Sequence, residues 1–172
     1  MDVRISSLAA LTFCFASPVC LIAQQSNYPT RSTSSNLSQK RYVAAGDRAY
    51  VVGVQDGIFQ PIGWHITGTM GGVWSHPIKL LESYSLLLGG VALPAAQQFT
   101  SGPGFVQLNF PTTNGLQITR TEFAPDGLPV LLVGLQIQNT SSQSVTTTLG
   151  LQAVSHIIPA FPWGERNRVQ PS

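Results

Sequence analysis

The side chains able to do chemistry are few and bunched. Between Gly46 and Leu81 the chain reads GDRAYVVGVQDGIFQPIGWHITGTMGGVWSHPIKLL, holding two of the three Trp and two of the three His. Trp64 and Trp74 offer ring faces on which a sugar or a neighbouring domain could stack, and His65, His76 and Lys79 stand beside them. Glycosidic acid–base chemistry needs two carboxylates held about 5–10 Å apart. The acidic residues are Asp2, Asp47, Asp56, Glu82, Glu122, Asp126 and Glu165. Asp56 and Asp126 each precede Gly and read as turn formers, while Glu82 and Glu122 read as solvated strand ends. His65, His76 and His156 have a spacing that matches no metal-ligand signature. No G-x-S-x-G, H-E-x-x-H, P-loop or dinucleotide fingerprint occurs. The sequence assigns no catalytic residue, no metal and no cofactor.

Composition narrows the partners. Charged residues are 9% of the chain and net charge is +2, with Gly, Pro, Ser, Thr, Asn and Gln supplying the polarity. This palette suits an extracellular β protein or a binder of neutral polymers such as sugars. The basic residues form no stripe, which gives a nucleic-acid partner no support.

The elements that must position these side chains are strands. Arg48–Val54, Phe105–Phe110 and Leu116–Phe123 carry β-branched, aromatic or alternating patterns. Ile78–Leu88 reads as a strand, with a helical turn as its competitor. In Leu116–Phe123, residues Leu116, Ile118, Arg120 and Glu122 share one face and are not expected all to point inward, so a bulge or an exposed end is expected. Val130–Asn139 and Val145–Val154 read as a hairpin around the loop 140–144. Six or more strands, short turns and no amphipathic helix give an all-β, antiparallel β-sandwich.

The ends read differently. Residues 1–23 open with Arg4 and an apolar run, a signal peptide that implies a secreted or periplasmic protein with no membrane attachment after cleavage. Cys14 and Cys20 both lie there, and cleavage after Ala23 leaves no thiol. Residues 24–40 are rich in Ser, Thr, Asn and Gln and read as a flexible, disordered linker. Residues 41–158 form the sandwich, and 159–172 read as a truncated tail toward a missing partner. Asn36 and Asn139 head N-glycosylation sequons.

The segments Gly46–Arg48, Gln55–Gly57, Gly63–His65, Met70–Trp74 and His76–Leu81, with Phe99–Gly104, resemble the start of bacterial and plant-type glycogen debranching proteins of the six-hairpin glycosidase group. The resemblance spans about residues 41–165. It implies a β-supersandwich that supports an (α/α)6 barrel, with the catalytic carboxylates in the barrel. The chain ends before any barrel, so no family catalytic residue transfers to it. Met70–Leu81 is the segment expected to edge the cleft or contact the barrel. A stand-alone carbohydrate-binding or structural sandwich is the alternative.

Overall fold

The computed structural model describes residues 29–63, 70–155 and 157–159. Its strands are β1 (Arg31–Thr33), β2 (Arg41–Ala45), β3 (Tyr50–Val54), β4 (Gly72–Ser75), β5 (Ile78–Leu81), β6 (Ser83–Leu88), β7 (Val91–Ala92), β8 (Gln98–Gly102), β9 (Phe105–Asn109), β10 (Leu116–Phe123), β11 (Leu132–Asn139), β12 (Leu149–Val154) and β13 (Ile158–Pro159). All pairings are antiparallel. The all-β reading holds, and Ile78–Leu88 is strand on both sides of a break at Glu82.

One layer has the order β1-β8-β9-β10-β11. The facing layer is built from the sheets β13-β5-β4-β3-β2 and β12-β6-β7. Chain continuity joins these two sheets, because β5 runs into β6 and β12 precedes β13 alongside them. The Glu82 amide donates to the Val154 carbonyl at 2.8 Å and carries the ladder across the break. Alternation decides which side chains lie between the layers. Val106 and Leu108 point inward from β9, Phe110 just after it, and Tyr84, Leu86 and Leu88 from β6. Tyr42, Ala44, Val51, Val73, Phe99, Leu116 and Ile118 complete the core cluster.

Three expectations are corrected. Part of the expected linker is folded: β1 pairs with β8, and Leu37, on a 3-10 turn, enters the core with 7% exposure. Leu37 is the one large apolar residue in a polar stretch, and burying it fixes its neighbours. The expected hairpin also does not form. β11 pairs with β10 over eight residues and β12 pairs with β6 over six, so the connection crosses between layers. Finally, β10 runs without a bulge against β9 and β11, and its whole inner face, including Arg120 and Glu122, is buried.

Two edge strands, β11 and β12, leave core rows open. Register places Val133, Leu135 and Ile137 of β11 opposite the inward residues Glu122, Arg120 and Ile118. It places Leu149 and Leu151 of β12 opposite the buried Leu88 and Leu86. These positions continue the core rows, yet Ile137 is 42% exposed and Leu151 is 61% exposed.

Candidate functional site

The described part of the Gly46–Leu81 stretch holds the β2–β3 turn followed by β3, β4 and β5. Gly72 makes the close strand approach possible. It sits at φ +100°, and a Cβ there would lie 2.1 Å from the Leu81 carbonyl oxygen. A register shift between Val73 and Trp74 then sets Trp74 opposite Lys79 and Val73 opposite Leu81. Val73 faces the core, while Trp74 joins Tyr50 on the other face.

Trp74 is enclosed. Its ring stacks on Tyr50 with centroids 6.2 Å apart and planes 4° from parallel. Its indole N–H donates to the carbonyls of Met70 at 3.2 Å and Gly71 at 3.3 Å. Lys79 Nζ lies 5.8 Å from the ring centroid and pairs with Glu82 Oε2 at 2.5 Å. Trp74 is 5% exposed and Lys79 0%, so neither presents a surface to a saccharide. The strand lead-in closes over the indole, and Glu82 pairs with the ammonium. Trp64 and His65 lie outside the described residues, as does His156.

His76 is exposed, at the two-residue turn between β4 and β5. With Asp47, Arg48, Tyr50, Ser75 and Pro129 it lines a shallow depression of about 320 Å³. Burial raises the Tyr50 phenol pKa above its ordinary value. The Ser75 hydroxyl donates to the Arg48 carbonyl at 3.1 Å. Asp47 and Asp126 meet across 79 residues, but their carboxylates are engaged with backbone: Asp126 Oδ1 accepts from the Asp47 amide at 3.1 Å and Asp47 Oδ1 from the Gly127 amide at 2.6 Å. Gly46 permits this clasp, since a Cβ there would lie 2.5 Å from the Ala124 carbonyl oxygen. Asp56 is a buried turn former that accepts from the Ile58 amide at 3.0 Å. Among the described residues no three His, Cys, Asp or Glu side chains gather as a metal site.

The sequon residues take different surroundings. Asn36 stands in a left-handed turn at φ 56°. Asn139 is bound into its own loop, donating from Nδ2 to the Gln143 carbonyl at 2.8 Å and accepting from the Ser141 amide at 2.9 Å.

The densest electrostatic cluster went unread in the sequence. Glu122, expected to be solvated, is 0% exposed between the layers. Tyr42 donates to its Oε2 at 2.7 Å, and Tyr84 donates to Oε1. Arg120 Nη2 lies 3.1 Å from Oε1 and donates to the Gly57 carbonyl at 3.3 Å. The guanidinium also sits 5.1 Å from the Tyr84 ring centroid and 5.6 Å from that of Phe110. Burial first, then the Glu122 charge, hold both phenols well above their ordinary pKa. Burial alone would lower the Arg120 pKa, but Tyr84, Glu122 and Tyr42 outweigh it and the group stays charged. The cluster is closed to solvent and brings together one carboxylate, one cation and two neutral hydroxyls. Its groups are hydrogen-bonded to one another across the two layers. The signal for it was the spacing of Arg120 and Glu122: opposite charges two apart on one strand face can neutralise each other on entering the core.

Comparison with family models, curated proteins and solved structures returns no match.

Proposed function

We propose that this chain is the non-catalytic β-sandwich of a secreted glycoside hydrolase of the glycogen-debranching type, acting on an α-glucan or related saccharide. The observation that supports the reading is the open edge. Two strands from different layers turn their core-continuing apolar rows to solvent, through Val133 and Ile137 on one and Leu149 and Leu151 on the other. Contiguous exposed apolar rows mark a surface that a partner covers. The partner that fits the resemblance is the catalytic (α/α)6 barrel, with the sandwich as a supersandwich against it. The carboxylates of Asp47 and Asp56 are committed to backbone amides and that of Glu82 to Lys79, which fits a supporting module.

Two measurements test this. The chain alone releases no reducing ends from maltooligosaccharides or glycogen; release above background sinks the proposal. The chain alone binds a hydrophobic dye and self-associates as concentration rises, and Ile137→Lys with Leu151→Lys suppresses both. A wild-type chain that stays monomeric and dark to the dye removes the reason for proposing a partner.

A further inference from the structure

The outer face of the β1-β8-β9-β10-β11 layer inverts the usual distribution of polarity. Solvent-facing strand positions are where Lys, Glu and Arg ordinarily stand. On β8 to β11 the charged residues are Arg120 and Glu122, and both point inward. The outward positions carry amides and hydroxyls in rows that cross the strands. Register aligns Thr100, Gln107 and Thr121 in one row and Gln98, Asn109 and Thr119 in the next. Side chains within a row hold one another. Asn109 Nδ2 donates to Gln98 Oε1 at 2.7 Å, Thr119 Oγ1 donates to Asn109 Oδ1 at 2.7 Å, and Gln107 Nε2 donates to Thr121 Oγ1 at 3.2 Å. The second row floors a shallow depression of about 570 Å³, walled by Ser34, Gln97 and Gln117. Phe105 and Phe123 pair on the same face at its end, where Phe123 is 40% exposed.

We propose that this face is a binding surface for a neutral, hydroxyl-rich polysaccharide. Oriented amides can each donate to and accept from sugar hydroxyls. Neighbouring strands repeat these groups about every 4.8 Å across the sheet, so an extended chain meets several in succession. These cross-strand hydrogen bonds within each row fix the rotamers beforehand and lower the entropy lost on binding. An anionic polymer would find no counter-charge among these rows, and a nucleic acid needs basic contacts that the rows lack. A protein partner would favour an apolar, aromatic centre, and here the centre is amide. Phe123, 40% exposed at the margin, offers an apolar contact to a sugar ring. The inference shares the saccharide class with the proposed function but uses a different face, and it stands whether or not a barrel covers β11 and β12.

The test is affinity electrophoresis of the full chain in gels containing glycogen, xylan or mannan, with polygalacturonate and heparin as charged controls. The expected result is retardation in at least one neutral gel and none in the charged gels. Gln107→Ala with Asn109→Ala weakens that retardation at least about tenfold, as the loss of two to three hydrogen bonds requires. The variant keeps the wild-type unfolding midpoint within a few degrees, since both side chains are outside the core. Retardation should persist in Ile137→Lys with Leu151→Lys, which separates this surface from the docking edge. Free migration of the wild type in every neutral gel overturns the proposal. So does retardation unchanged by the double substitution, or equal retardation by the charged polymers.

Discussion

Replacing Glu122 by Gln asks whether the buried cluster holds the layers together. The substitution keeps the shape of the side chain and removes its charge. It leaves Arg120, buried and stacked between Tyr84 and Phe110, without a counter-ion. It also sets an NH₂ where Tyr42 or Tyr84 now donates, so two donors face each other. Breaking a buried pair by removing one partner costs about 3–5 kcal/mol. A domain of this size has about 5–15 kcal/mol in total. The expected fall in the thermal midpoint is about 10–20 °C, taking roughly 3–5 °C per kcal/mol. Urea unfolding followed by circular dichroism measures the loss directly. Removing both charges, with Arg120→Leu and Glu122→Leu, leaves no orphaned ion. The double variant should therefore be less destabilised than the sum of its singles by at least about 1 kcal/mol. A Glu122→Gln protein within about 0.5 kcal/mol of wild type, the scatter of surface substitutions, would refute the reasoning.

Three further outcomes follow from the same structure. The Tyr42 and Tyr84 phenols are raised in the folded state, so their contribution is fully present below the ordinary phenol pKa and is lost as pH rises past it. Stability should be level from neutral pH to about 9, then fall above about pH 10 by up to about 1.4 kcal/mol per pH unit for each phenol; a urea midpoint that stays flat to pH 11 (~1 unit past the ordinary value) would contradict this. Gly72→Ala combines positive φ with a Cβ 2.1 Å from the Leu81 carbonyl, and should cost at least about 3 kcal/mol. Gly90→Ala, at φ +83° with nothing within 4 Å, should cost only the backbone part, about 1–2 kcal/mol, in the same urea assay. Leu37→Ala should lose about 2–3 kcal/mol by opening a core cavity, where a linker residue would lose almost nothing.

Local patterns carried the strands, and nonlocal choices escaped them. The alternation of Phe105–Phe110 and Leu116–Phe123 was enough to find β9 and β10, because side-chain period depends on neighbours in sequence. The partners of β11 and β12 are not local. Both alternate and a short loop joins them, but nothing local records that their ladders run to β10 and β6, on opposite layers. Leu37 was lost in a polar average, although one buried apolar side chain suffices to order a turn. At the site, Trp74 and Lys79 had the right chemistry for contact and the wrong exposure. Their burial depends on a register shift and on the backbone of Met70 and Gly71, which residue types do not reveal. Arg120 and Glu122 were placed on one face correctly, and the pairing that lets that face enter the core was missed.

The clasp between Asp47 and the Asp126–Gly127 turn has a kinetic consequence. It joins groups 79 and 80 residues apart, one on each layer, through two backbone amides. Closing a loop of that length costs chain entropy that two exposed hydrogen bonds do not offset, so we expect the clasp to close late in folding and open early in unfolding. Severing it with Asp47→Ala and Asp126→Ala together should leave the refolding rate nearly unchanged and shorten the lifetime of the native state. An exposed pair of hydrogen bonds, modest as a source of equilibrium stability, thus acts as a latch on the time the two layers stay together.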